Sequence, residues 1–203
     1  MSVKRNGYVL KDKEKEEFAR LGFQHQVWQV ETTEVFRKAG FGLGQTILDL
    51  GCGPGFLSFD LSPIVGKNGK VIAVDNSEAF INYIESKIVS KEYMNITASL
   101  SDLKNLELSA ASINGAIARW VMMFIDDPDK VIEGVANALR SNGVFAVMEY
   151  FQFRDMSIWP YSKAFKKIYH AVYEMIKNYG GNADIGGKMP QLLTEHGFEI
   201  LDI

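Results

Sequence analysis

The chain has 203 residues, a formal net charge of −3 and 47% hydrophobic residues. That length suits a single domain with one sizeable core, and the near balance of 22 basic and 25 acidic residues gives no broad basic face for nucleic acid. The single cysteine, Cys52, excludes a disulfide framework within the chain and suits a cytoplasmic location. Because no run approaches the ~20 apolar residues that cross a bilayer, we expect no membrane partner.

The first predicted element is a helix over residues 14–38, in which apolar side chains recur at mostly helical spacing. Gly22 is a predicted break within this helix. Three glycines, Gly40, Gly42 and Gly44, mark the exit from it.

From residue 46 onward, short apolar strands alternate with helices. Ser77 is a predicted helix N-cap, Pro128 a first-turn residue and Gly197 a C-cap. The alternation predicts an α/β fold, a three-layer sandwich around a mostly parallel, doubly wound sheet. The predicted strands are 46–50, 71–74, 95–99, 113–118, 144–148 and 198–203, and the predicted helices among them are 56–65, 78–89, 128–139, 161–177 and 188–196.

A glycine-rich turn follows the first strand. Gly51, Gly53 and Gly55 let the backbone turn tightly and let a ligand approach closely, and the free amides at the start of the next helix favour an anionic group such as a carboxylate. Asp75 ends the second strand. Alone it would suit an ordinary strand-end turn, but beside the glycine turn it predicts a carboxylate that accepts hydrogen bonds from a ribose diol. Asp49, inside the first strand, is expected to bond the amides of the turn.

Two rival phosphate-binding motifs fit this turn poorly. In the dinucleotide fingerprint G-x-G-x-x-G the third glycine would come one place after Gly55, where the chain has Phe56. The Walker motif requires Lys-Ser or Lys-Thr after the glycines, and neither is present.

Together these residues resemble the class I, Rossmann-like, S-adenosylmethionine-dependent methyltransferases. The run LDLGCGPG from Leu48 resembles their first motif, VIAVDNS from Val71 their second and Ser101-Asp102-Leu103 their third. The resemblance is strongest over residues 40–150. Further on, residues 184–198 resemble a subgroup that acts on small molecules. The resemblance to this family and subgroup implies S-adenosyl-L-methionine as cofactor, S-adenosyl-L-homocysteine as product and a small-molecule acceptor.

The resemblance also implies the residues of a cofactor site. The glycine turn would flank the methionine part, Asp75 would take the ribose, and Arg119 or its carbonyl would lie near the amino-acid end. Gln26 would reach the cofactor carboxylate, although a solvated helix residue is an equally good interpretation of it. The full predicted set is Gln26, Gly51, Cys52, Gly53, Asp75, Asn76, Phe80, Ser101, Asp102, Leu103, Arg119 and Trp120.

The same resemblance divides the chain into parts of one domain, 1–203. Residues 1–40 form an N-terminal helical segment, 41–150 the cofactor-binding core, 151–187 an insertion over the active site, and 188–203 the last helix and strand. The family sheet has a seventh, antiparallel strand that is missing here, which suggests a truncated C-terminus. An open sheet edge favours association, so a homodimer is one expected partner.

For catalysis, placing a nucleophile in line with the methyl group can supply ~7–11 kcal/mol, and a base helps when the acceptor is poorly ionised. Glu149, Tyr150 and His170 are weak candidates for that base, and a packing or surface role is more usual for a residue such as His170. No metal site is suggested. An apolar acceptor pocket is expected from Trp120, Met122, Met123, Phe124, Phe151, Phe153, Trp159 and Tyr161, with plain core as the interpretation for half of them.

Three functions stay open at this point. The first is a methyltransferase for a small, apolar or aromatic acceptor. The second is a nicotinamide oxidoreductase, disfavoured by the glycine spacing. The third is a catalytically silent S-adenosylmethionine-binding protein that regulates or scaffolds a partner.

Overall fold

The computed structural model describes residues 14–90 and 92–203. Within them, five parallel strands form one sheet in the order β3-β2-β1-β4-β5. The strands are β1 (Thr46–Leu50), β2 (Lys70–Asp75), β3 (Ile96–Leu100), β4 (Ile113–Arg119) and β5 (Leu139–Met148). The order reverses between β1 and β4, and in open parallel sheets a ligand crevice forms at the carboxyl ends beside such a switch point.

Helices cover both faces of the sheet, so the predicted doubly wound sandwich is confirmed. They are α1 (Glu14–Val27), α2 (Gln29–Lys38), α3 (Phe56–Val65), α4 (Glu78–Val89), α5 (Pro128–Ala138), α6 (Lys163–Asn178) and α7 (Met189–Glu195). Short 3₁₀ turns lie at Leu103–Asn105, Met122–Phe124, Phe153–Asp155 and Ile185–Lys188.

The core has two halves because side chains alternate across each strand. In β1, Ile47 packs with apolar residues of α2, α3 and α4, whereas Leu48 and Leu50 pack with those of α5, α6 and α7. All three are fully buried. Burying each such side chain stabilises the fold by about 1.5–3 kcal/mol, which fixes the position of β1 and of the turn that follows it.

The N-terminal helical segment breaks at Trp28, and the prediction of a break at Gly22 is wrong. Trp28 leaves helical geometry with φ −103° and ψ 12° between α1 and α2. Gly22 lies inside α1, where a Cβ would come within 3.4 Å of the Phe56 ring. Gly22 therefore lies at the contact between α1 and α3 and does not interrupt the helix.

The predicted sixth strand over residues 198–203 is also wrong, because those residues form no strand. Phe198 packs its ring against Phe145 of β5, with centroids 6.0 Å apart, and Asp202 pairs with Lys38 of α2 at 2.5 Å. Side-chain contacts thus hold this segment without a ladder of backbone hydrogen bonds. Within the described residues β5 is an edge strand.

The predicted helix ends at Ser77, Pro128 and Gly197 are confirmed. The Ser77 hydroxyl accepts a hydrogen bond from the Phe80 amide at the start of α4, and Pro128 lies in the first turn of α5. Gly197, at φ +84°, ends α7 as predicted. Asn142, at φ +63°, lies inside β5, and the pairing of β5 with β4 has an irregularity in its register. In the described part of the chain, no helix has the length and apolar character needed to span a bilayer.

Candidate cofactor and acceptor site

The three glycines of the turn all have positive φ, at +60°, +54° and +83°, but they serve two different purposes. A Cβ on Gly51 would lie 2.6 Å from a methyl carbon of Val121, and one on Gly55 would lie 2.7 Å from Ile84. These two glycines therefore let neighbouring loops and helices pack. Among the residues that the structure describes, a Cβ on Gly53 would meet only the Leu21 side chain, at 3.9 Å, so Gly53 is the position that leaves room for a ligand.

Asp75, at the end of β2, faces this turn. One carboxylate oxygen accepts a hydrogen bond from the Gly53 amide and the other accepts one from the Ser77 amide, both at 2.8 Å. Asp75 is only 8% exposed, and burial raises its pKa while these amide hydrogen bonds act to lower it. A carboxylate has about four acceptor positions, so a ribose diol can still bind to it. The turn and the acid therefore fit an adenosyl ligand.

Asp49 does not bond the amides of the turn, so that expectation is wrong. Its side chain lies on the same face of β1 as Ile47, and it accepts a hydrogen bond from the Ser58 hydroxyl of α3 at 2.5 Å. Burial raises the pKa of Asp49 to about 7. Asp75 is the acid that holds the turn, while Asp49 anchors the helix that begins there.

Cys52 belongs to the turn through its backbone. Its amide donates to the Val74 carbonyl at 3.0 Å, and its carbonyl accepts from the Gly55 amide at 3.0 Å. Burial raises the pKa of the Cys52 thiol well above its ordinary value. The thiol is therefore held protonated and apolar against the core.

The end of β3 adds the third predicted motif to the same edge. The Ser101 amide donates to the Asp75 carbonyl at 3.0 Å, and Asp102 accepts from the Lys104 amide at 2.9 Å. Leu103 is buried, whereas the Asp102 side chain is half exposed. The motif thus offers one apolar wall and one open carboxylate beside Asp75.

Of the two residues predicted near the ribose and adenine, Asn76 is exposed and Phe80 is buried. The Phe80 ring meets the Phe18 ring of α1 edge-on, with centroids 5.1 Å apart. Phe80 therefore supports the packing of α1 over the start of α4.

Arg119, at the end of β4, links the sheet to both N-terminal helices. Its guanidinium donates to the Thr32 hydroxyl of α2 at 2.9 Å and lies 3.2 Å from Nδ1 of His25 in α1. His25 in turn pairs with Asp60 of α3 at 3.3 Å and stacks on Phe56. The groups hydrogen-bonded to Arg119 are thus a hydroxyl and an imidazole. Burial lowers the pKa of Arg119, while the nearby carboxylates of Asp49 and Asp60 act to raise it.

The glutamine that faces this site is Gln24. Its side chain bonds to Tyr150 and accepts from Arg20 at 3.0 Å, whereas Gln26 is exposed. The inward face of α1 repeats at helical spacing through Leu21, Gln24 and His25, and this spacing is the sequence signal that would have selected Gln24, His25 and Leu21.

A row of aromatic rings runs along the carboxyl edge away from Arg119. Successive rings lie 4.2–6.0 Å apart between centroids, and all but the closest pair, Phe153 and Tyr169, fall within the range of about 4.5–7 Å that aromatic pairs favour. We call these six residues the aromatic row, and they are, in spatial order, Trp28, Trp120, Tyr150, Phe153, Tyr169 and Phe165.

Trp120 joins the aromatic row to the cofactor side. Its φ is +56°, a conformation that costs a non-glycine residue on the order of 1–3 kcal/mol, and its amide donates to the Met148 carbonyl at 2.8 Å. Its ring lies 5.1 Å from the Arg119 guanidinium carbon. Strained backbone of this kind is concentrated at functional sites.

The expected acceptor pocket is only partly assembled. Among the eight candidates, Trp120 and Phe153 belong to the aromatic row, and Met122 and Met123 are buried core. The others are exposed, and Trp159, at 94%, projects away from the row.

The three candidate bases lie in different surroundings. Glu149 is mostly buried, and one oxygen accepts from the Met123 amide at 3.3 Å while burial raises its pKa to about 7. Tyr150 stacks on Trp120 within the aromatic row. His170 is exposed on the outer side of α6 and is not brought to the crevice.

A parallel sheet with a glycine turn after β1 and an acid at the end of β2 defines a Rossmann-like, nucleoside-binding protein. The comparisons give the family: the methyltransferase domain model matches residues 43–197, so the chain belongs to that family. The predictions of a class I methyltransferase fold and of S-adenosylmethionine as cofactor are thereby confirmed.

Three proteins that are similar to this chain are methyltransferases by name. An arsenite methyltransferase of Halobacterium salinarum is 28% identical over 114 residues, covering 56% of this chain and 29% of that protein. A demethylmenaquinone methyltransferase of Lactococcus lactis is 29% identical over 126 residues, covering 62% and 49%. A SAM-dependent methyltransferase from Aquifex aeolicus has the same fold, with a TM-score of 0.56 at 24% identity over 73% of this chain and 78% of that one. This chain spans half or less of the length of the two curated relatives.

Proposed function

We propose that this chain transfers a methyl group from S-adenosylmethionine to a small, flat acceptor of apolar or aromatic character. The observation that carries the proposal is the junction at Trp120. On one side of Trp120 lie the open Gly53 turn and Asp75, and on its other side the aromatic row continues through Tyr150. The named relatives are enzymes, which disfavours a catalytically silent binding protein.

In this proposal, four groups of the chain hold the cofactor. Asp75 accepts the ribose hydroxyls, Asp102 meets the adenine amino group and Leu103 packs on the adenine. Arg119 pairs with the cofactor carboxylate, because its present contacts are a hydroxyl and an imidazole. When bound, S-adenosylmethionine supplies an activated methyl group on its sulfonium. The protein then needs mainly to align an acceptor with it and exclude water.

The aromatic row favours a planar acceptor that can stack against its rings. Trp120 and Tyr150 are stacked at 6.0 Å and would form the wall nearest the methyl group. Arsenite, the acceptor named for one relative, fits this chain less well, because soft elements are held by thiolates and the only cysteine, Cys52, is a buried thiol with a raised pKa. An aromatic quinol, as in the demethylmenaquinone relatives, fits the row better.

We further propose distinct roles for the residues around the acceptor. Tyr150 carries the hydroxyl of the aromatic row that lies beside Trp120, and this hydroxyl, bonded to Gln24, is the best candidate to orient an acceptor hydroxyl. Glu149 supports the Met122–Phe124 turn through the Met123 amide. Gln24 replaces Gln26 as the glutamine of the site.

Calorimetry tests the cofactor part of the proposal. The chain should bind S-adenosylhomocysteine and not NAD. Asp75→Ala should lose about 3 kcal/mol of affinity, roughly a hundredfold, since it removes charge-assisted hydrogen bonds to the ribose. Asp129→Ala, a charge-matched control at an exposed acid of α5, should bind normally. Binding of NAD and not of S-adenosylhomocysteine would contradict the proposed cofactor. A loss of affinity below threefold for Asp75→Ala would show that Asp75 does not hold the ribose.

A labelled-methyl assay tests the acceptor part. A short-chain demethylated naphthoquinol should accept label from S-adenosylmethionine, and arsenite should not. Label on arsenite but on no aromatic acceptor would show that the aromatic row does not select the substrate.

A further inference from the structure

The outer side of α6 and the segment before it form an exposed surface of mixed apolar and basic character. Trp159 is 94% exposed, Ile168 67% and Tyr161 64%. Three lysines, Lys163, Lys166 and Lys167, are exposed among them, within eight positions of Trp159. We call these six residues the α6 surface.

The opposite side of α6 is firmly held, so the α6 surface has a fixed orientation. Phe165 and Tyr169 stack with one another at 5.2 Å, and Tyr169 stacks on Phe153 at 4.2 Å. Ile176, further along the same helix, is also buried, with 1% of its surface exposed. A helix anchored by one face presents its other face as a rigid unit.

The charge of the α6 surface is not compensated locally. In the part of the chain that the structure describes, none of its three lysines forms an ion pair. The nearby Arg154 is different, because it pairs with Asp184 at 2.7 Å. The chain as a whole carries a net charge of −3. The three lysines without an ion pair, beside exposed aromatic side chains, therefore give this surface a charge opposite in sign to that of the whole chain.

We propose that the α6 surface docks on the surface of an anionic phospholipid bilayer. Trp and Tyr side chains favour the headgroup region because one end of each ring is apolar and the other is polar. Lysines beside them are attracted to anionic headgroups, and this attraction falls off within a Debye length. Lysine is depleted in protein–protein interfaces, which favours lipid over a protein partner. The expectation of no membrane partner rested on the absence of a spanning run, and this proposal departs from it.

The position of the α6 surface gives such docking a purpose. The aromatic row leads from Phe165 and Tyr169 of α6 to Trp120 at the cofactor site. A docked chain would therefore turn its acceptor side toward the bilayer, where a lipophilic acceptor would be dissolved. This orientation rests on the proposed function, whereas the docking itself does not.

Vesicle sedimentation tests the docking with the whole chain. It should sediment with vesicles of phosphatidylcholine and phosphatidylglycerol at low salt, but not with phosphatidylcholine alone, and added salt should release it. The double variant Lys166→Glu/Lys167→Glu should lose more than tenfold in binding, and Trp159→Ser several-fold. The control Lys67→Glu/Lys70→Glu makes the same charge change at the opposite, amino-terminal edge of the sheet and should bind like the parent chain.

Several outcomes would overturn the proposal. These are failure of the parent chain to bind anionic vesicles, equal binding to neutral ones, or an equal loss in both double variants. Concentration-dependent dimerisation that Trp159→Ser abolishes would assign the surface to a second copy of the chain instead. S-adenosylhomocysteine affinity, measured in parallel, should be unchanged in Lys166→Glu/Lys167→Glu, so a failure of docking is distinguishable from a failure of the proposed function.

Discussion

Replacing Glu149 with glutamine should stabilise the folded chain, most strongly above neutral pH. One carboxylate oxygen of Glu149 accepts from the Met123 amide, while the other is buried and has no hydrogen-bond partner within the described residues. Burial raises the pKa of this carboxyl from 4.5 to about 7. At neutral pH and above, the fold therefore holds a buried charge that hydrogen bonds from the Tyr150 amide and from the amides of Val121 to Met123 stabilise only in part.

The sign of the effect follows from proton binding. Between pH 4.5 and about pH 7 the folded chain binds a proton at Glu149 more readily than the unfolded chain does. Stability from this group is therefore full below pH 4.5 and is lost as the pH rises through 7. At about 1.36 kcal/mol for each pH unit, the loss amounts to about 3 kcal/mol. Glutamine has the same shape and no charge to desolvate, so Glu149→Gln escapes this loss.

Urea denaturation of both proteins at pH 5 and pH 8 measures the difference. The stability advantage of Glu149→Gln should grow by most of that ~3 kcal/mol between the two pH values. Glu133→Gln, at an exposed position of α5, is the matched control and should show no such growth. If Glu149→Gln were less stable than the parent at pH 8, Glu149 would be an ionised ligand of the amides around Met123, and the reasoning would fail.

Two further predictions concern the turn and the N-terminal helices. Gly51→Ala should destabilise the fold by about 1–3 kcal/mol, because a Cβ there would lie 2.6 Å from Val121. In thermal unfolding, the double variant Gly51→Ala/Val121→Ala should recover part of the lost stability. If it recovers none, Gly51 does not serve the packing of Val121. Burial and the neighbouring Arg119 lower the pKa of His25 below 6.5, against the opposing effect of Asp60. The folded chain then binds fewer protons at this position than the unfolded chain, so stability should fall as the pH drops below 6.5, and His25→Gln should flatten this part of the Tm–pH curve.

The sheet was predictable because its signals are local and repeated. A strand such as Thr46–Leu50 is mostly apolar, with Asp49 as its one charged residue. Ser77 and Gly197 mark helix ends through bonds to residues three positions away. The glycine turn and Asp75 were predictable for a similar reason, since strand ends in a parallel sheet meet at one edge.

What the sequence did not reveal depends on contacts between distant residues. The break at Trp28 coincides with bonds from Arg119 to His25 and Thr32, which are 94 and 87 positions away. That Asp75 and not Asp49 holds the turn depends on the face of β1 on which Asp49 lies. For residues 198–203, apolar composition suited a strand, but the ring of Phe198 found Phe145 and no backbone partner followed.

The Arg119 contacts also explain why the N-terminal helices belong to the cofactor site. The two groups that bond this guanidinium come from opposite sides of the Trp28 break, so Arg119 fixes the angle between α1 and α2. The same angle sets Leu21 over Gly53 and brings Trp28 against Trp120.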